Sequence, residues 1–119
     1  MLAKQLKVNV RREPGVAILD LHGEINASAE ESLNAAYADA VKDGPSAVLL
    51  NFADVDYINS TGIALIVGLL AQARKAGRRM LASGLSDHYV EIFQITRLAD
   101  FMNIYADEAS ALSGVPALR

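Results

Sequence analysis

The sequence predicts an α/β fold, in which a mixed and mostly parallel sheet of about five strands carries about four helices. Short apolar runs typical of strands alternate with segments of helical spacing, and turn residues separate them. The length of 119 residues, with 52% hydrophobic and 21% charged residues, suits one domain with a buried core. We therefore expect a single domain over residues 1–119, with its elements in the order β-β-α-β-α-β-α-β-α.

The first two strands are predicted to form an antiparallel hairpin. Residues 7–11 alternate apolar and polar side chains, and Glu-Pro-Gly at 13–15 is a turn signal. The second strand lies within residues 16–26. Its alternation places Ala17, Leu19 and Leu21 on one face, and Val16, Ile18, Asp20 and His22 on the other.

A helix and a central strand follow. Ser28 begins an S-x-x-E capping box with Glu31, which predicts a helix from near Ser28. Residues 42–46, KDGPS, end this helix. Residues 47–52, AVLLNF, are a continuous apolar run typical of a central strand that is covered on at least one face.

The next segment, 53–77, is predicted to pass from a polar loop into a helix that ends near Ala76, with Gly77 as its C-cap. The predicted core face of this helix holds Ile63, Ile66, Leu69, Leu70 and Ala73. Small residues share another face: Ala64, Gly68 and Ala71. They would allow close packing of a partner protein or of a neighbouring helix in the same domain, and packing within the domain is the default explanation.

The rest of the chain predicts two strands and two helices. Residues 78–83 are the next strand, and Ser86 or Asp87 caps a third helix. The apolar set of this helix is Val90, Ile92, Phe93, Ile95 and Leu98. A short strand at 101–106 precedes a final short helix at 107–115, whose first turn is acidic.

Composition excludes several classes of function. The net charge of -3 argues against nucleic-acid binding, and the absence of cysteine excludes disulfides and thiolate chemistry. His22 and His88 lack the spacing of a metal site. We expect no enzyme activity and no cofactor, because no catalytic or phosphate-binding motif appears. The basic cluster Arg74, Lys75, Arg78 and Arg79 fits a helix C-terminus, where cations complement the helix dipole.

The sequence also indicates a cytoplasmic protein without a membrane span. The start of the chain shows no signal peptide, because charges are scattered through it. The longest apolar run, 62–71, is far shorter than the roughly 20 residues that a membrane-spanning helix requires.

The stretch Asn59-Ser60-Thr61-Gly62 stands where the loop meets the second helix. Its plain interpretation is a helix N-cap, since Asn, Ser and Thr side chains accept hydrogen bonds from the first free N–H groups. One cap would suffice, however, and nothing in the sequence explains the glycine. Just before it, Asp54 and Asp56 form a D-x-D on the predicted loop, which is a weak magnesium signal and is typical of an ordinary polar loop.

At these residues the sequence resembles the STAS domains, and specifically the stand-alone anti-sigma-factor antagonists of bacteria. The similarity covers nearly the whole chain in three blocks. LHGEIN at 21–26 resembles the Gly-Glu-Leu-Asp of the family, and residues 47–69 resemble its central strand, loop and helix with Asp-Ser-Ser/Thr-Gly-Leu. The third block, 91–112, resembles the family's final helix, strand and helix. Asn59 and Asn26 stand where the family carries aspartates.

The resemblance implies a STAS fold and a cycle of partner switching. In the family, a partner that is both serine kinase and anti-sigma factor binds the unphosphorylated antagonist and phosphorylates it, and a PP2C-type phosphatase restores it. The serine that matches the phosphorylation site is Ser60. The expected partner-binding residues are Asp54, Asp56, Asn59, Ser60, Thr61, Gly62, Ala64 and Gly68.

Two other functions stay open. A STAS interaction subunit of a transport complex or of a stressosome-like scaffold would use Ser60 as an interface residue without a kinase cycle. A small-ligand or nucleotide sensor would use the loop at 53–61, although no phosphate-binding glycines support it.

Overall fold

Five strands form one mixed sheet in the computed structural model, which describes residues 5–113. The strands lie side by side in chain order, and the first pair is antiparallel while the others are parallel. The predicted α/β class and its mostly parallel sheet are therefore confirmed. The strands are β1 (Lys7–Glu13), β2 (Val16–Ile25), β3 (Ala47–Ile58), β4 (Arg79–Ser83) and β5 (Asn103–Tyr105).

Four α-helices connect or follow these strands within the described part of the chain. They are α1 (Glu30–Val41), α2 (Ser60–Lys75), α3 (Asp87–Ile95) and α4 (Glu108–Ser113). Short 3₁₀ turns precede α1 at Ala27–Ala29 and follow α3 at Leu98–Asp100. The predicted element order agrees with this arrangement, and the predicted end of the last helix at 114–115 lies outside the described residues.

Both faces of the sheet are covered. On one face, Leu19 belongs to a large apolar core that includes side chains from α1, α2 and α3, such as Leu33, Ile66 and Phe93. On the other face, Ile18 belongs to a smaller cluster with Ala111 of α4. The predicted alternation along β2 is confirmed, because neighbouring residues of this strand enter different cores.

A polar network joins α4 to the hairpin. The Arg11 guanidinium donates to the Asp20 carboxylate at 2.6 and 2.9 Å and to the Glu108 carboxylate at 3.1 Å. The Asn51 amide also donates to Asp20, at 2.8 Å. Asp20 is only 9% exposed. The hydrogen bonds from Arg11 lower the pKa of the Asp20 carboxyl, while burial opposes that shift.

The predicted capping box at Ser28 is wrong. Helix α1 begins at Glu30, and no side chain caps it. The Ser28 hydroxyl and backbone N–H both donate to the Asn26 side-chain oxygen, at 2.6 and 3.0 Å. Asn26 therefore caps the preceding 3₁₀ turn, and the Ser28 hydroxyl is already engaged there.

The predicted core set of α3 is partly wrong. Phe93 is fully buried, but Ile95 is 71% exposed, and Tyr89 takes part in the core instead. Tyr89 and Phe93 stand four residues apart and share a helix face, whereas Ile95 lies roughly 200° around the helix from Phe93. Leu98 is buried but lies in the following 3₁₀ turn, after the left-handed Arg97 (φ 70°).

Among residues 5–113, no helix combines the length and the apolar character needed to cross a membrane.

Candidate functional site

The candidate site lies where β3 meets α2. The segment before it is a strand, so the prediction of a loop there is wrong. Strand β3 continues to Ile58, because β2 continues beside it and pairs Gly23 with Val55 and Ile25 with Ile58. Strand β4 pairs with β3 only as far as Asn51. The polar residues of 53–57 look like a loop in the sequence, yet pairing with β2 makes them a strand that projects beyond the rest of the sheet.

The carbonyl group of Ile25 fixes the start of α2. The Asn59 backbone N–H donates to this carbonyl oxygen at 3.2 Å. Gly62, in the first turn of α2, lies against the same oxygen, and a Cβ added at Gly62 would be 2.0 Å from it. This close approach explains the glycine for which the sequence offered no reason.

Asn59 caps α2. Its side-chain oxygen accepts a hydrogen bond from the Gly62 backbone N–H at 2.8 Å, and its backbone is extended, as an N-cap requires. The Ser60 and Thr61 side chains are exposed, and neither hydroxyl makes a hydrogen bond to a described residue. The cap therefore does not require the two hydroxyl groups.

Two asparagines act as N-caps directly after the ends of two adjacent strands. Ile25 and Ile58 pair across β2 and β3, Asn26 and Asn59 follow them, and each asparagine caps the turn or helix that comes next. Asn and Asp are nearly equal as N-caps. Both positions, where the resemblance places aspartates, therefore act as caps in this chain without a negative charge.

Tyr89 of α3 binds the end of β3 through hydrogen bonds to the Ile58 backbone. Its hydroxyl accepts a hydrogen bond from the Ile58 N–H at 2.9 Å and lies 3.4 Å from the Ile58 carbonyl oxygen, to which it donates. Sequence reasoning missed this residue. The available signal was the four-residue spacing from Tyr89 to Phe93, which puts both rings on the core side of α3.

The two predicted aspartates lie on β3 and are exposed. Asp54 is paired with His22, whose Nδ1 lies 3.1 Å from the carboxylate. No pattern in the sequence indicates this pair, because it depends on the register of β2 and β3. An open cleft of about 620 Å³ lies beside it, lined in part by Lys7, His22, Gly23, Asp54 and Asp56. Within residues 5–113, no group of three or more His, Cys, Asp or Glu side chains could hold a metal ion.

The small residues of α2 face outward. Ala64, Gly68 and Ala71 are exposed, and a Cβ added at Gly68 would meet no atom within 4 Å. Beside them, Val67 is 44% exposed. No helix of the described residues therefore packs on this stripe, and the alternative of packing within the domain is wrong. The predicted core face is confirmed: Ile66, Leu69, Leu70 and Ala73 are buried, and Ile63 packs against them.

The structure thus gathers most of the predicted residues on one helix. Ser60, Ala64, Gly68 and Ala71 follow each other at spacings of four, four and three residues, which keeps them on one face of α2. Asp54 and Asp56 lie on β3, which comes directly before α2 in the chain. His88, by contrast, stands in the first turn of α3 beside Tyr89, at a ring-centroid distance of 4.8 Å.

Comparison with known proteins identifies the fold. The family model described as the STAS domain matches residues 7–111. The anti-sigma-B factor antagonist of Staphylococcus aureus is 29% identical over 82 residues, which are 69% of this chain and 76% of that protein.

Two solved structures have a similar fold. A structure of the Bacillus cell fate determinant SpoIIAA in its phosphorylated form gives a TM-score of 0.71 at 22% identity, covering 92% of this chain and 99% of that one. A sulfate transporter family protein from Wolinella succinogenes gives a TM-score of 0.78 at 20% identity, covering 91% and 90%.

Proposed function

Because the chain belongs to the STAS domain family, we propose that it is an anti-sigma-factor antagonist controlled by phosphorylation. In its unphosphorylated state it binds a partner that is both serine kinase and anti-sigma factor. Phosphorylation of Ser60 by that partner releases it, and a PP2C-type phosphatase restores the unphosphorylated state. The protein is then a binding protein and a kinase substrate rather than an enzyme.

The observation that supports this proposal is the exposed Ser60 hydroxyl at the first residue of α2. Asn59 already caps the helix, so the Ser60 side chain has no structural task that a phosphoryl group would disrupt. The N-terminus of a helix also tolerates negative charge, because the helix dipole is positive there. The site can therefore accept a modification without unfolding.

The same modification would oppose binding. Phosphoserine carries a charge of about -1.5 to -2 at neutral pH. At a packed interface this charge would be desolvated, and a partner surface suited to Asp54 and Asp56 would have to accept still more negative charge. A tenfold loss of affinity requires only about 1.4 kcal/mol, which such a group readily supplies.

The proposed binding surface combines the end of β3 with the outward face of α2. Its residues are Asp54, Asp56, Asn59, Ser60, Thr61, Ala64 and Gly68, whereas Gly62 of the predicted set is buried against the Ile25 carbonyl and supports this surface from below. The exposed small residues would let the partner's backbone come close to α2, since no side chain beyond Cβ stands in the way. The relative named an anti-sigma-B factor antagonist supports the proposed function.

Phosphosite mapping tests the proposal. The protein is incubated with ATP and an extract of its source organism, with Ser60→Ala and Thr61→Ala in parallel, and phosphorylated peptides are identified by mass spectrometry. We expect one phosphoryl group on Ser60, which is lost in Ser60→Ala and kept in Thr61→Ala. An extract with demonstrated kinase activity that leaves Ser60 unmodified would refute the kinase cycle.

The second candidate is an interaction subunit of a transport complex or of a stressosome-like scaffold. The similarity in fold to the Wolinella succinogenes sulfate transporter family protein favours it. In that role the surface of α2 would bind its partner permanently. Binding by wild type and Ser60→Ala that is equal and insensitive to ATP would support this candidate.

A further inference from the structure

A cleft lies at the C-terminal ends of α1 and α2, at the opposite end of α2 from Ser60. It has a volume of about 420 Å³. Residues of both helices and of the turn after α2 line it: Tyr37, Val41, Gln72, Lys75, Ala76 and Arg78.

Within residues 5–113, the cations of this cleft have no carboxylate partner. The Arg78 guanidinium donates to the backbone carbonyls of Pro45, at 3.0 Å, and of Val41, at 3.5 Å. Lys75 makes no ion pair with any residue in the described part of the chain. Asp39 of α1 is engaged elsewhere, by Arg12 at 3.2 Å and by Lys42 at 3.0 Å.

Tyr37 forms a buried wall of the cleft. The residue is 3% exposed, and its hydroxyl is closed off from solvent. Burial raises the pKa of the Tyr37 phenol, while the charge of Arg78 and its hydrogen bond to the phenol oppose that shift. The groups of the cleft that suit an oxyanion are therefore the two cations and the Gln72 amide.

The cleft is continuous with the surface proposed above. Lys75 is exposed and stands four residues after Ala71, so it extends the outward stripe of α2 to the end of the helix. The fifteen residue steps from Ser60 to Lys75 correspond to roughly 22 Å along the helix axis. A protein that lies along α2 from Ser60 would reach the cleft with its far end.

We propose that this basic cleft binds a carboxylate of the partner protein, from an aspartate or glutamate side chain, while the partner contacts Ser60 at the other end of α2. This proposal rests on the proposed function for the identity of the partner. It assigns the basic cluster at the end of α2 a role in fixing the partner's orientation on the helix. Lys75 and Arg78 supply the charge that the carboxylate would neutralise.

Matched neutral variants in one helix turn test the proposal. Lys75→Gln and Arg74→Gln remove the same charge, but Arg74 lies over the Phe101 ring, 4.9 Å from its centroid, rather than in the cleft. The kinase is purified by its activity on Ser60, and its affinity for each variant is measured by calorimetry. We expect Lys75→Gln to bind about tenfold more weakly and Arg74→Gln to bind nearly as wild type. Equal losses in both variants, or no loss in Lys75→Gln, would overturn the proposal.

A second experiment does not depend on the kinase. An oligoglutamate peptide is titrated into the labelled protein at constant ionic strength, and backbone amide resonances are followed by NMR. Saturable shifts at 72–78 that disappear in Lys75→Gln are expected. Their absence, or their persistence in Lys75→Gln, would refute carboxylate binding by the cleft. If no extract phosphorylates Ser60, the kinase cycle fails while this titration still decides the chemistry of the cleft.

Discussion

The Cα of Gly62 lies directly against the carbonyl oxygen of Ile25, so that a Cβ at residue 62 would be 2.0 Å from that oxygen. The same oxygen accepts a hydrogen bond from the Asn59 N–H. The end of β2 thereby fixes the first turn of α2, which carries Ser60. The position of the exposed hydroxyl depends on a contact between backbone atoms that are far apart in sequence.

Gly62→Ala is expected to destabilise the fold, because the contact is with rigid backbone and the helix start must shift. The expected cost is about 1–3 kcal/mol in the free energy of unfolding, as for other overpacked sites. Urea denaturation monitored by circular dichroism measures it. The matched control is Gly68→Ala in the same helix, where an added Cβ meets no atom within 4 Å. This control should gain about 0.5–1 kcal/mol from helix propensity, and a similar loss in both variants would contradict the assigned contact.

Asn59→Ala is expected to lower stability by about 0.5–2 kcal/mol, because the Gly62 N–H loses its side-chain acceptor. Asn59→Asp keeps an acceptor and adds a negative charge at the positive end of the helix, so its stability should equal or exceed that of wild type. Thermal unfolding of the three proteins compares them. An unchanged melting temperature in Asn59→Ala would mean that Ser60 or Thr61 can replace the cap, and the double variant Asn59→Ala/Ser60→Ala would then lose stability.

Ser60→Asp is expected to weaken partner binding while the melting temperature stays nearly the same. The added carboxylate stands in the first turn of α2, where the helix dipole favours it by about 0.3–1 kcal/mol, but it adds charge to the proposed interface. Affinity for the purified kinase and thermal unfolding are measured side by side, with Ser60→Ala as the uncharged control. Equal affinity of Ser60→Asp and Ser60→Ala would count against an electrostatic switch.

Asp20→Asn is expected to reduce stability at neutral pH by about 1.5–3 kcal/mol, because Arg11 loses its charged acceptor. Hydrogen bonds from Arg11 lower the pKa of Asp20 in the folded state. The contribution of Asp20 is therefore complete above its unfolded pKa of about 3.9 and is lost as the pH falls through the lower folded value.

Urea unfolding of wild type and Asp20→Asn across the acidic range checks this sign. The difference in stability between the two proteins should shrink as the pH falls below the unfolded pKa. Asp43→Asn is the control, because Asp43 is an exposed carboxylate 3.4 Å from Arg12 and such pairs contribute little. If the difference in stability between wild type and Asp20→Asn stays constant down to acid pH, the ionised form of Asp20 does not stabilise the fold.

Signals that are local in sequence decided most of the fold. The turn at 13–15, the apolar run at 47–52 and the separation of the small residues from the core face of α2 follow from residue type and spacing. That the small residues are exposed was decided by the structure. The order of elements and the mostly parallel sheet follow from these signals together with connection rules. The stretch 59–62 was identified as a helix start for the same reason, since capping residues act on N–H groups two or three positions away.

Only the tertiary structure decided how the site is built. Asp54 lies on a strand because β2 pairs with it, and the sequence alone made that segment a loop. The carbonyl of Ile25 decides that Asn59, and not one of its neighbours, caps α2. The same carbonyl is the reason that position 62 requires glycine. Local patterns report backbone preference and hydrophobicity, whereas these features arise from contacts between strands and helices that the chain brings together only when it folds.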